Sequence, residues 1–91
     1  MKLHGKTVLI TGAAHRMGAA AALAFASEGA DIVLHYHRSQ QAARRTAAEI
    51  EALGRRVSLQ QADLAADGAA DKLIESAVAA GLPPHILVNS A

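Results

Sequence analysis

Cysteine is absent from this 91-residue chain, which excludes disulfide staples and thiolate metal sites and suits a reducing compartment. We therefore expect a cytoplasmic protein. Tryptophan is absent as well, and one phenylalanine and one tyrosine are the whole aromatic complement. A chain so poor in aromatics has no stacking platform for single-stranded nucleic acid. No apolar run is long enough to cross a membrane, and Met1–Gly5 is not followed by the apolar stretch of a secretory leader. The formal charge of +1 gives no general attraction to nucleic acid or to membrane surfaces, so neither is expected as a partner.

What is present is aliphatic. Hydrophobic residues make up 52% of the chain, and with so few aromatics the core has to be built from Ala, Val, Leu and Ile. Such side chains favour thin layers in close contact, as in alternating strands and helices. The length fits one small domain, which buries about 60–65% of its unfolded surface.

Along the chain the hydrophobic period switches repeatedly. Residues 7–10 read as a buried strand, with two β-branched residues in a continuous apolar run. A helix follows over about 16–28, with Gly18, Ala21, Ala22 and Phe25 on one face and Gly29 as its stop. A second strand covers 31–36. Ser39 is the expected cap of a helix over 40–53, whose Ala43, Ala47 and Ile50 face inward. A third strand spans 56–61. Asp67 is the expected cap of a helix reaching Ala80, with Ala70, Leu73, Ile74, Ala77 and Val78 apolar. Gly81 and Pro83-Pro84 end it, and 86–88 is the fourth strand. This order implies an α/β fold with parallel pairing, half of a doubly wound sheet in strand order 3-2-1-4. Its ligand crevice lies at the carboxyl ends of the strands.

Four features converge on those ends. The first is Thr11-Gly12-Ala13-Ala14-His15-Arg16-Met17-Gly18, a glycine turn between the first strand and its helix. Glycine lets backbone N–H groups approach an anion, and the helix end carries partial positive charge, so the turn can seat a phosphate. By itself such a turn is also a common structural connection. The second feature is His35-Tyr36-His37-Arg38-Ser39 at the end of the second strand. Asp63 and Asn89 are the third and fourth.

Cofactor choice follows from the second strand's end. An NAD binder usually places an acid there for the ribose hydroxyls, but Tyr36 holds that place, and no Asp or Glu lies between Asp31 and Glu49. Arg38 can pair with a 2′-phosphate through its planar fork, Ser39 can donate a hydroxyl, and His37 can add a donor. NADP(H) is therefore the expected cofactor. The alternative for Arg38 is a solvated loop arginine.

On these residues the chain resembles the short-chain dehydrogenases/reductases over essentially its whole length, and within them the pteridine reductase and dihydromonapterin reductase-like branch. The family's motif is Thr-Gly-x-x-x-Gly-x-Gly; Thr11, Gly12 and Gly18 match it, and Arg16 replaces the middle glycine. Arg16 and His-Tyr-His-Arg-Ser are the marks of the pteridine branch. The resemblance implies a three-layer Rossmann-type fold, first half only. It further implies that Arg16 reaches over the pyrophosphate and that His37, Arg38 and Ser39 surround the 2′-phosphate. Asp63 and Leu64 match an adenine-contacting pair. Asn89-Ser90-Ala91 matches the start of Asn-Asn-Ala-Gly, with Ser90 in the second asparagine's place. His15 lies in the phosphate turn and can touch the pyrophosphate, with a solvent-exposed loop histidine as the other reading; Met17 belongs to the same turn.

The family's catalytic serine and Tyr-x-x-x-Lys lie downstream of that last motif. The lone tyrosine is Tyr36, and no Tyr-x-x-x-Lys occurs in these 91 residues. A catalytic residue is thus not expected here, and the chain reads as the cofactor-binding portion of a reductase, inactive alone. A small-molecule substrate is implied only together with a C-terminal half. The other reading is a non-catalytic nucleotide-binding or assembly module, or a remnant. The fourth strand, left as an apolar edge, predicts self-association.

Three further groups have plain readings. His35 and His37, spaced i, i+2, lack a nearby carboxylate for a metal site, so no metal is expected. Arg44, Arg45, Arg55 and Arg56 read as a solvated face, and His4 and His85 as surface residues. Asp71 reads as a first-turn charge of the third helix.

Overall fold

Small apolar residues and glycine punctuation produce seven alternating elements. In the computed structural model, which describes residues 2–12 and 16–90, these are β1 (Thr7–Thr11), α1 (Arg16–Ser27), β2 (Asp31–Tyr36), α2 (Gln40–Ala52), β3 (Val57–Gln61), α3 (Ala69–Ala79) and β4 (Ile86–Asn89). The four strands form one sheet in the order β3-β2-β1-β4. All three pairings are parallel, with Val8 opposite Ile32 and Ile86, and Ile32 opposite Val57. This is the 3-2-1-4 half sheet that the sequence implies.

Alternation along the strands divides the core in two. Val8, Ile10, Ile32, Leu34 and Tyr36 face α1 and α2, where they meet Ala22, Ala26, Ala43 and Ile50. Gly18, Ala22 and Ala26 form the buried stripe of α1, and their small size brings that helix close to the sheet. Gly29, at φ 96°, turns the chain out of α1 in the left-handed region that side chains resist. On the opposite face Leu9 and Val33 meet Leu73 and Ala77 of α3, together with Leu82.

Several local expectations are corrected. Ser39 precedes α2, but its ψ of 64° is not the extended geometry of a cap and its hydroxyl caps no N–H. Asp67 is not the cap of α3. The chain winds through a turn in which Asp63 accepts from the N–H of Ala65, and Gly68, left-handed at φ 73°, takes the cap position. Asp71 does stand in the first turn. The face of α3 is only half used: Leu73 and Ala77 are buried, while Ile74 and Val78 stay 47% and 53% exposed. The arginine pair is not simply solvated, since Arg55 donates to the Gly29 carbonyl at 2.9 Å and Arg56 to that of Ala80 at 3.2 Å. His85 extends the β1–β4 pairing: its N–H donates to the Thr7 carbonyl at 2.8 Å, and its Nδ1 accepts from the Thr7 N–H at 3.0 Å.

Candidate functional site

Parallel strands bring their carboxyl ends to one rim of the sheet, and the connections leaving β1 and β2 open there around a cavity of about 720 Å³. The glycine turn contributes Gly12, Arg16, Met17 and Gly18. Gly12 is buried with φ 66°, a backbone state that glycine adopts without steric cost. Arg16 opens α1 and is exposed at that helix's N-terminus. From β2 come Tyr36 and then His37, Arg38 and Ser39, and from the end of β4 comes Ser90. Tyr36 is 6% exposed and belongs to the core, so it forms a wall of the cavity. His37 and Arg38 are exposed, and Ser39 is half-buried with its hydroxyl free of the helix. Among the described residues, two arginines and no carboxylate line the cavity, which therefore suits an anionic guest.

Not every expected residue reaches it. The Thr11 hydroxyl donates to Asn89 Oδ1 at 2.9 Å, and the Ser90 hydroxyl donates to the Thr11 carbonyl at 2.5 Å. Thr11 and Asn89 thus fasten β1 to β4, while Ser90 does so and also lines the cavity. Thr11, Leu64 and Asn89 border a separate groove of about 210 Å³ on the α3 side. Asp63 is exposed and borders another, of about 190 Å³, together with Lys72 and Ser76. His15 and Ala91 lie outside the described residues.

Two roles near the cavity escaped the sequence reading. Arg45 joins Arg38, Ser39 and Gln41 around an adjoining depression of about 450 Å³ at the start of α2. Its spacing of one helical turn from Gln41 is the signal that could have found it. His35 is 3% exposed beneath the glycine turn and has both ring nitrogens engaged by backbone groups. Its place inside a buried strand was the clue, because a buried ring must find partners.

The arrangement is shared with known proteins. A model of the short chain dehydrogenase family matches residues 6–91. The chain belongs to that family. L-rhamnose 1-dehydrogenase (NAD(P)(+)) of Sphingomonas sp. is 39% identical over 98% of this chain and 35% of its own length. 3beta-hydroxysteroid dehydrogenase 1 of Eggerthella lenta is 36% identical over 98% of this chain and 34% of its own. Among solved structures, a Burkholderia cenocepacia protein crystallised with bound NADP superposes with a TM-score of 0.90 at 36% identity, over 96% of this chain and 34% of that one. A short-chain dehydrogenase/reductase from Serratia marcescens gives 0.93 at 32% identity, over 100% of this chain and 37% of that one. This family member therefore spans about a third of the length of the relatives it matches. These relatives give no support to the pteridine reductase-like branch. No described helix is long and apolar enough to cross a membrane.

Proposed function

We propose that these residues form the NADP(H)-binding portion of a short-chain oxidoreductase. One observation carries the reading: Arg16 and Arg38 line a single cavity, with no carboxylate among the described residues around it, at the carboxyl ends of β1 and β2. Its size lies within the range of small-molecule sites, about 300–1,000 Å³. Arg16 and the start of α1 would meet the diphosphate, with Gly12 lining the cavity beside them without offering its N–H. Arg38, Ser39 and His37 would meet the 2′-phosphate, with Arg45 reinforcing the positive field from α2. Tyr36 stands where an acid would favour NAD, and it offers no carboxylate to the ribose hydroxyls. When bound, the reduced dinucleotide would supply the hydride for reduction of a C=O or C=N group and be left oxidised. Asp63, Leu64 and Asn89 border other grooves, and we assign them to supporting the rim.

Proton delivery to the substrate is not assigned within these 91 residues, which contain no Tyr-x-x-x-Lys. The exposed Arg16 at the cavity, with His37–Ser39, favours a reduced pterin through sequence resemblance alone. Cofactor choice is tested by titrating the chain with NADPH and with NADH by calorimetry. NADPH should bind more tightly, and Arg38→Ala should remove that preference. A preference for NADH would overturn the assignment.

A further inference from the structure

We propose that His35 is a positioning residue that ties the glycine turn to the loop after β3, and that only its Nε2–H tautomer can do so. The Gly12 N–H donates to His35 Nδ1 at 3.0 Å. That nitrogen must therefore carry the lone pair, which leaves the proton on Nε2. Nε2 in turn donates to the Ala62 carbonyl at 2.8 Å. The same peptide segment is held from its other side, because the Ala62 N–H donates to the Tyr36 carbonyl at 3.1 Å. One buried ring thus joins the connection leaving β1 to the connection leaving β3, and both ends of it are backbone atoms.

The consequence lies in where the glycine turn can point. Gly12 is buried, and its N–H faces inward to the ring rather than outward to a guest. The imidazole orients that peptide at the point where the chain leaves β1. The Gly12 peptide is then held before any anion arrives, which lowers the ordering that binding must impose there. The part of the inference that concerns affinity rests on the cavity being a dinucleotide site; the tautomer and the two hydrogen bonds do not.

Three variants separate the two ends of the ring. His35→Asn keeps an acceptor near Nδ1, His35→Gln keeps a donor near Nε2, and His35→Leu keeps neither. In the ¹⁵N-labelled chain, long-range ¹H–¹⁵N spectra should show His35 as the Nε2–H tautomer, and the Gly12 amide should exchange slowly. Gly12 should stay protected in His35→Asn and lose protection in His35→Leu and His35→Gln. NADPH binding should weaken about tenfold in His35→Leu, the size expected when a buried N–H loses its partner. His35→Asn should recover most of that loss. A ring protonated at Nδ1, or a Gly12 amide unaffected by His35→Leu, would overturn the proposal. If His35→Leu fails to fold, the wild-type tautomer and the Gly12 protection in His35→Asn decide it. A wild-type chain with the expected tautomer and protection that binds neither nucleotide would remove the dinucleotide reading and leave the tie between the two loops standing.

Discussion

The two faces of the sheet are written in the same aliphatic alphabet, yet one is finished and the other is not. Toward α1 and α2, Val8, Ile10, Ile32 and Leu34 are each 0% exposed. Toward α3, Leu87 of β4 is 65% exposed and the neighbouring face of α3 shows Ile74 and Val78. Two helices cover the first face, whereas α3 meets the second chiefly through Leu73 and Ala77. Apolar character in a strand therefore says that a residue can be buried, and the number of covering elements decides whether it is. The candidate cofactor cavity opens chiefly at the ends of β1 and β2, the two central strands, with Ser90 added from the end of β4.

Paired substitutions would test this contrast most severely. Ile32→Ala, in the filled layer, should cost about 2–5 kcal/mol of stability, while Leu87→Ala should cost less than about 1 kcal/mol, both read from urea unfolding. Equal losses at the two sites would abolish the distinction. Function should follow the same division. Arg38→Ala is expected to weaken NADPH binding about 10–100-fold, as loss of charge-assisted hydrogen bonds does, and to leave NADH binding unchanged. An equal loss for both nucleotides would place Arg38 away from the 2′-phosphate. Gly12→Ala should destabilise the chain by about 1–2 kcal/mol through its φ of 66° and should weaken NADPH binding as well. The smallest effect on stability belongs to the open face. Leu87→Lys with Val78→Glu should change unfolding by less than about 0.5 kcal/mol. The same pair should convert an associating chain into a monomer in light scattering at micromolar concentration, since an exposed apolar surface drives self-association. A wild-type chain that is already monomeric there would count against self-association through this face.

Much of the candidate site was legible because it rests on local chemistry. Glycine where φ must be positive, arginine without acidic neighbours, and strands followed at once by helices are all visible without coordinates. The misreadings share one cause. Asp67, Ser39 and Arg55 were judged by residue type, and His85, exposed as expected, carries backbone bonds that its type did not announce. Such roles depend on which backbone atoms arrive beside them. His85 meets Thr7 and Arg55 meets Gly29 across long stretches of chain, and residue type alone does not report such partners. Asp63, Leu64 and Thr11 were placed by motif at the cofactor, and in the structure they border grooves on the α3 side.

By itself, then, the sequence determined the element order, the parallel sheet and the basic, acid-free character of the second strand's end, because periodicity, turn chemistry and charge act over a few residues. Only the tertiary structure decided which apolar residues are covered, that Arg45 joins Arg38, and that His35 bridges Gly12 and Ala62. Those facts depend on groups far apart in the chain meeting within hydrogen-bonding or van der Waals distance, and packing of the whole sheet sets such distances.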